Sequence, residues 1–164
     1  MSTAICPGSF DPITLGHLNI IRRSAKIFDK VVVCIMYNST KTSPMFSVEE
    51  RVEMVRKATS RYPNVSVDSS SGLLAEYAKN YEGAVIVKGL RAASDFEYEF
   101  QMNLINKKIN PQLETMFLTS DVKYTFLSSS VVREMARYGA DLTGFVPDEI
   151  KEEIEEKAKQ WRTK

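Results

Sequence analysis

Histidine and cysteine are scarce in this chain of 164 residues, which holds one His and two Cys. A zinc site built on several histidines or on a CxxC pair therefore has no ligands to draw on. Cys6 and Cys34 both lie in apolar, β-branched runs, so we expect two buried thiols in a reducing compartment. The scarcity argues against a small, disulfide-stabilised domain.

A large net charge and a long apolar run are also missing. The 22 basic residues nearly balance the 21 acidic ones, without the basic stripe of a nucleic-acid-binding protein. No apolar run approaches the roughly 18 residues of a membrane span, and MSTAICPGSF is too short and broken for a signal peptide. We expect a cytoplasmic protein that binds neither nucleic acid nor membrane, with residues 1–164 forming a single domain.

Short β-branched runs alternate with segments of helical period. The predicted strands are 3–6, 31–36, 65–68, 84–87 and 115–118, and the predicted helices are 16–28, 47–61, 72–82, 94–109, 128–138 and 147 to about 161. The apolar run VVVCIM at 31–36 does not alternate, as expected of a parallel strand covered on both faces. This order predicts an α/β fold, a single Rossmann-like domain whose five-stranded parallel sheet carries helices on both faces, followed by a C-terminal helix.

The loop after the first strand contains the only histidine. In such sheets, ligands bind at the carboxyl ends of the strands. The sequence PGSFDP at 7–12 is neither GxGxxG nor a P-loop, yet Gly8 and Ser9 are able to direct backbone N–H groups at an anion. Thr14 and His17 follow at a helix start and share a face, where the helix dipole favours negative charge. The residues alone leave open whether His17 binds a ligand or packs against the sheet.

Cations and hydroxyl groups follow other strands. Lys41 comes after the second, Lys88 and Arg91 after the fourth, and serines 128–130 begin the helix after the fifth. Each signal alone is also typical of a solvated loop or an ordinary helix cap. Their joint placement on one sheet edge predicts a polyanionic ligand, and the lack of a carboxylate cluster argues against a protein-bound metal.

The motifs [ST]xGH, here at 14–17, and SSSxxR, here at 128–133, resemble those of the nucleotidyltransferase superfamily related to class I aminoacyl-tRNA synthetases. The blocks PGSFDPITLGH, KGLRAASDFEYE and YTFLSSSVVRE are more specifically similar to the bacterial phosphopantetheine adenylyltransferases, and the resemblance covers essentially the whole chain. It implies transfer of AMP from ATP to 4′-phosphopantetheine, giving dephospho-coenzyme A and pyrophosphate, the penultimate step of coenzyme A synthesis.

The resemblance also implies roles for individual residues. Ser9 and Phe10 are expected to hold ATP phosphates, with Ser9 also touching the acceptor, and His17 is expected to bind ATP and to stabilise the transition state. Acceptor-binding positions are matched by Lys41, Leu74 and Lys88. Further ATP-binding positions are matched by Gly89, Leu90, Arg91, Glu99, Tyr124, Thr125, Phe126, Leu127, Ser128, Ser129 and Ser130.

The same resemblance implies Mg²⁺ carried with ATP, assembly into hexamers and feedback inhibition by coenzyme A. The sequence departs from the family at position 88, where Lys replaces the usual Arg, and in the Lys41 loop, which is one residue longer. The segment 94–109 supports an oligomer independently. It carries one apolar stripe of Tyr98, Met102, Ile105 and Ile109 and another of Phe96, Phe100 and Leu104.

Two alternative functions stay open at this level. One is another small-molecule nucleotidyltransferase, such as a nicotinamide mononucleotide adenylyltransferase, which would share the His17 motif but not the KGLR and DFEYE blocks. The other is a non-catalytic module that binds adenine nucleotides or coenzyme A. His17 beside an intact loop argues against the second, because binding alone does not need that group.

Overall fold

The computed structural model describes residues 1–38 and 43–162. The strands are β1 (Thr3–Gly8), β2 (Lys30–Met36), β3 (Val65–Ser70), β4 (Val85–Leu90) and β5 (Glu114–Thr119). The helices are α1 (Leu15–Ile27), α2 (Val48–Thr59), α3 (Leu74–Tyr77), α4 (Ala93–Ile109), α5 (Ser129–Arg137) and α6 (Asp148–Arg162). Short 3₁₀ turns at Ala78–Asn80 and Val122–Tyr124 complete the described elements.

All five strands pair in parallel, in the order β3-β2-β1-β4-β5. The chain moves outward from β1 to β3 in one direction and then crosses back to β4 on the other side of β1. The strand order therefore reverses between β1 and β4, and the loops after these two strands diverge there. The predicted α/β fold with a five-stranded parallel sheet is confirmed.

Two apolar clusters cover the sheet, one on each face. The larger joins the sheet to α2, α5 and α6 through residues such as Val33, Val55 and Ile154. The smaller joins the opposite face to α3 through Ile5, Val32 and Ala75. Successive residues of β2 alternate between the clusters, which is why that strand is apolar throughout. Both cysteines are free and buried, as expected, and burial raises the pKa of each thiol to about 11.

Helix α2 begins as predicted with a capping box. The Ser47 side chain accepts from the backbone N–H of Glu50, and the Glu50 carboxylate accepts from the N–H of Ser47. The predicted helix at 72–82 is wrong in length, since α3 has four residues and passes into a 3₁₀ turn. Its N-cap residue, Leu73, has no side chain able to accept the free N–H groups of the first turn.

Helix α6 closes the α2 and α5 side of the sheet. Its buried residues Ile150, Ile154 and Ala158 form the apolar stripe visible in the sequence. Its exposed face carries ion pairs to α2 and its flanks, among them Arg61 with Glu149 at 2.7 Å. No helix in the described ranges is both long and apolar enough to cross a membrane.

Candidate active site at the carboxyl edge of the sheet

A cavity of about 300 Å³ opens where the strand order reverses, at the carboxyl ends of β1 and β4. It brings together many residues that the sequence predicted for ATP or acceptor binding. Those that line it are Phe10, His17, Lys88, Gly89, Arg91, Glu99, Tyr124, Leu127, Ser128 and Ser129. Residues from four separate stretches of the chain thus meet in one place, because parallel strands present their carboxyl ends on the same edge.

His17 is held by the first turn of its own helix. The backbone N–H of Thr14 donates to His17 Nδ1 at 3.0 Å, and the Thr14 side chain accepts from the His17 N–H at 3.3 Å. A backbone amide only donates, so Nδ1 must be an acceptor. Neutral His17 therefore carries its proton on Nε2. The helix cap and the tautomer of the imidazole are set by the same pair of residues.

The imidazole stays neutral well below neutral pH. Burial, and secondarily the positive charge of Arg91, lower the pKa of His17 from 6.5 to about 4. Both causes act against the charged form, since low-dielectric surroundings and a nearby cation each penalise imidazolium. The cavity thus contains a neutral hydrogen-bond donor at physiological pH, not a titrating acid or base.

The loop between β1 and α1 has a constrained backbone. Phe10 has a φ of 48°, a left-handed conformation that is uncommon for a non-glycine residue, and its side chain is 4% exposed. Its ring meets the His17 ring edge-on at 5.1 Å. A Cβ at Gly8 would approach the Phe10 ring to 3.0 Å, so glycine is the residue that fits there. Packing of Phe10 therefore sets both the course of this loop and one wall around His17.

Two carboxylates on α4 pair with Lys88, near the carboxyl end of β4, and with Arg91, the first residue after that strand. Lys88 lies 2.8 Å from Glu99, and the Arg91 Nε donates to Asp95 at 3.1 Å. Arg91 also donates to the carbonyl of Leu127 at 3.0 Å, which ties the β4 loop to the start of α5. The Lys88 side chain is 26% exposed and points into an ion pair, so it is not a solvated loop cation.

The start of α5 is hydrogen-bonded to the loop after β1. Ser128 caps the helix by accepting from the Val131 N–H, and the Ser129 hydroxyl donates to the carbonyl of Pro12 at 2.7 Å. The N-terminus of α5 therefore faces the cavity with backbone N–H groups that the helix itself leaves unpaired. Such a terminus is suited to phosphate oxygens.

Other predicted residues lie outside this cavity. Ser9 is exposed and borders a neighbouring pocket, and Leu74 packs against the smaller apolar cluster. Leu90, at the end of β4, pairs through its carbonyl with Ser120. Lys41 lies outside the described residues. The remaining three, Thr125, Phe126 and Ser130, are exposed beside the cavity.

The residue list predicted from sequence omitted several contributors. Thr14 sets the histidine tautomer, and Asp95 pairs with Arg91. The four-residue spacing from Arg91 to Asp95 across a helix start was a visible signal, as was the position of Thr14 in its motif. Ser120 lines the cavity from the loop after β5, and nothing in its local sequence distinguishes it.

Asp11 joins the loop after β1 to the start of α2. Its two carboxylate oxygens accept the backbone N–H groups of Met45 at 3.0 Å and Phe46 at 2.9 Å, and the residue is 7% exposed. Hydrogen bonds from backbone amides to both oxygens of a buried carboxylate are strong, so Asp11 holds these two segments together. It fixes the chain immediately after the segment that carries Lys41.

The sheet order, the cavity at its switch point and the helix N-terminus beside that cavity are those of an α/β protein that binds a phosphate-bearing ligand. Residues 5–135 match the family described as cytidylyltransferase-like. A solved structure with the same fold is a bifunctional NMN adenylyltransferase/ADP ribose pyrophosphatase from Francisella tularensis, complexed with AMP and a manganese ion. The TM-score is 0.70 at 14% identity, over 99% of this chain and 52% of that one.

Two curated relatives point to a narrower family than the family model does. A phosphopantetheine adenylyltransferase from Caldanaerobacter subterraneus subsp. tengcongensis is 52% identical over 98% of this chain and 99% of its own length. One from Dictyoglomus turgidum is 54% identical over 97% of this chain and 99% of its own. The chain therefore belongs to the cytidylyltransferase-like family and to the phosphopantetheine adenylyltransferases.

Proposed function

We propose that this enzyme transfers the adenylyl group of ATP to 4′-phosphopantetheine, giving dephospho-coenzyme A and pyrophosphate. The observation that carries the proposal is a neutral His17, its proton on Nε2, beside a phosphate-directed loop and helix terminus in a chain whose full-length relatives bear that name. The nicotinamide mononucleotide alternative is not favoured, because the likeness to such an enzyme extends to the fold alone.

Adenylyl transfer to a phosphate requires positioning of the substrates and stabilisation of charge rather than a general base. The acceptor is a phosphate monoester, largely dianionic at neutral pH because its second pKa is about 6. It attacks the α-phosphorus of ATP in line, and negative charge builds on the phosphoryl oxygens and on the leaving pyrophosphate. A fixed Nε2–H of His17 stabilises that charge without moving a proton.

The two substrates occupy different parts of the site. ATP occupies the cavity between β1, β4 and α5, where Arg91 and the α5 N-terminus meet its phosphates. The acceptor extends from Ser9 and Lys88 toward Leu74, and its phosphate takes the place of Glu99 as a partner for Lys88. Lys41 supplies a further positive charge to the acceptor phosphate. Proximity of the two bound anions then accounts for much of the rate.

Mg²⁺ enters as part of the MgATP substrate. Within residues 1–38 and 43–162 there is no group of three or more His, Cys, Asp or Glu able to hold a metal ion. The cavity carboxylates Asp95 and Glu99 are engaged with Arg91 and Lys88. The polyphosphate oxygens themselves are the ligands that Mg²⁺ prefers.

We further propose that residues 1–164 act as one nucleotidyltransferase domain in the cytoplasm and assemble into a homo-oligomer. The family resemblance suggests that this oligomer is a hexamer. Helix α4 supports assembly, because both of its apolar stripes include exposed members. These are Phe96 at 46%, Tyr98 at 62%, Phe100 at 47%, Leu104 at 54% and Ile105 at 48%. A mass measurement at micromolar concentration that finds only monomer would overturn this.

Coenzyme A is the proposed feedback inhibitor. It carries the pantetheine arm of the acceptor and the adenine nucleotide of the product in one molecule, so it is able to occupy both halves of the site. Competition by coenzyme A against each substrate is the direct check.

One assay separates the candidate functions. Mixing the protein with MgATP and 4′-phosphopantetheine should release pyrophosphate and form dephospho-coenzyme A, whereas nicotinamide mononucleotide should not replace the acceptor. Release with nicotinamide mononucleotide alone would favour the first alternative. Binding of adenine nucleotide with no release for either acceptor would favour a non-catalytic module.

A further inference from the structure

The segment 120–124, which follows β5, forms one wall of the ATP cavity. Ser120 and Tyr124 of this segment line the cavity together with Gly16, His17 and Ile20 of α1. The strand β5 is the last in the sheet order and pairs with β4. The position of the wall therefore depends on how the end of β5 is joined to α1 as well as on the sheet.

Two contacts join this part of the chain to α1. A Cβ placed on Gly16 would come within 3.6 Å of the Tyr124 Cβ, so helix and segment meet beside His17. Further along the helix, the Arg23 guanidinium donates to the backbone carbonyl of Thr119, the last residue of β5, at 2.7 Å. The cavity-lining part of α1 lies between these two contacts.

Arg23 is oriented by a residue of its own helix. Its Nη1 also donates to the Oδ1 of Asn19, about one turn earlier, at 3.4 Å. Asn19 is 7% exposed, so its amide holds the guanidinium from a buried position. A hydrogen bond from a charged donor is stronger than one between neutral groups, which makes the bond to Thr119 a firm link between α1 and β5.

The peptide group between Thr119 and Ser120 is hydrogen-bonded through both of its polar atoms. Its carbonyl accepts from Arg23, and its N–H donates to the carbonyl of Leu90 at 2.8 Å. Because a peptide group is planar, bonds to α1 on one side and to β4 on the other fix its orientation. That orientation sets the direction in which the chain enters the segment 120–124.

The part of the cavity beside Ser120 suits an uncharged group. A Cβ placed on Gly89 would come within 2.9 Å of the Ile20 side chain and 3.7 Å of the Ser120 hydroxyl, so these three residues meet. An aliphatic side chain, a glycine and a hydroxyl carry no charge. They fit a nucleoside better than phosphates, for which we proposed Arg91 and the N-terminus of α5.

We propose that Arg23 is a positioning residue for the nucleoside part of ATP. It holds the peptide between Thr119 and Ser120 against α1 and thereby sets the wall formed by the segment 120–124. Arg23 itself lies outside the lining of the cavity and acts through this peptide. The identity of the nucleotide rests on the proposed function.

The test measures the binding of MgATP and, separately, of 4′-phosphopantetheine to the full chain by calorimetry. Arg23→Met removes the charged donor and should weaken ATP binding about 10-fold, with unchanged binding of 4′-phosphopantetheine. Arg22→Met is the matched control, because Arg22 is the neighbouring residue of α1, is exposed and loses the same charge. It should bind both ligands like the wild type.

Arg23→Lys keeps the proposal testable if Arg23→Met does not fold. Lys retains a charged donor but has a compact, more strongly hydrated ammonium in place of the planar guanidinium, so ATP binding should fall by a smaller factor. Unchanged ATP affinity in Arg23→Met, or in Arg23→Lys where Arg23→Met does not fold, would overturn the proposal.

Equal losses of affinity for both ligands would also overturn it, because they would indicate general loosening of the fold. An equal loss of ATP affinity in Arg22→Met would overturn it by assigning the effect to net charge. Neither measurement needs turnover, so a wild type that binds ATP without transferring its adenylyl group would contradict the proposed function alone.

Discussion

The backbone N–H of Thr14 donates to His17 Nδ1 at 3.0 Å, so the first turn of α1 decides which ring nitrogen of His17 carries the proton. The same turn uses the Thr14 hydroxyl to accept from the His17 N–H. A single local motif thus caps a helix and presents an Nε2–H donor to the cavity. Because the donor is neutral, its role does not depend on a proton transfer in the reaction.

This relationship predicts the nuclear magnetic resonance spectrum of the imidazole. The chain has one histidine, so its ring gives a single set of signals. We expect the Nε2–H tautomer at pH 7 and a midpoint near the pKa of about 4. A long-range ¹⁵N spectrum of the ligand-free protein, titrated with acid, measures both. An Nδ1–H tautomer or a midpoint near 6.5 would contradict the geometry.

The same depressed pKa links His17 to stability. The unfolded chain binds a proton on His17 more readily than the folded chain does, so this residue makes folding less favourable as pH falls from 6.5 toward 4. Above pH 6.5 neither state carries the proton and this penalty is absent, whereas below about pH 4 the penalty is complete.

Replacing His17 should affect the chemical step more than binding. His17→Ala removes one transition-state donor and should lower kcat about 10²- to 10³-fold, with little change in the KM for ATP. His17→Gln keeps an N–H donor of similar reach and should recover part of the loss. Steady-state rates for both substrates decide the matter. Near-normal turnover of His17→Ala would show that His17 has no role in the chemical step.

Lys88 should contribute chiefly to acceptor binding. Lys88→Ala removes a charged partner of the acceptor phosphate and should raise the KM for 4′-phosphopantetheine by roughly one to two decades, with a smaller effect on ATP. Lys88→Arg should be tolerated, since the guanidinium keeps the charge and adds a second donor. Titration with acceptor at saturating ATP measures the effect. An unchanged KM for 4′-phosphopantetheine in Lys88→Ala would show that Lys88 serves only in a structural ion pair with Glu99.

Asp11 should act by positioning the chain that follows the Lys41 segment. In Asp11→Asn the amide group cannot accept both the Met45 and the Phe46 N–H, so the variant should lose about 1.5–3 kcal/mol of unfolding free energy. Its KM for the acceptor should rise while the KM for ATP changes little.

Glu50→Gln is the matched control for Asp11→Asn. It makes the same carboxylate-to-amide change in the capping box at the start of α2, where the side chain is exposed. It should cost less stability and leave the acceptor KM unchanged. Equal effects on both substrates in Asp11→Asn would indicate general loosening of the fold instead of positioning of one loop.

Local sequence predicted most of the architecture because its signals are short in range. Apolar runs such as VVVCIM predicted strands buried on both faces, and Ser47 with Glu50 predicted a helix start. The helix at 72–82 was overestimated, since periodicity does not reveal that Leu73 leaves the first turn uncapped. The two stripes of α4 were visible as well, but not that both would include exposed residues.

The sequence by itself determined the class of fold, the edge at which the ligand-directed loops meet and, through its motifs, the family to which the chain belongs. Only the tertiary structure decided which groups pair within that edge. Lys88 with Glu99, Asp11 with the amides of Met45 and Phe46, and Arg23 with the carbonyl of Thr119 are contacts between distant segments. Burial and charge at such contacts depend on packing of the whole chain, which no local pattern encodes.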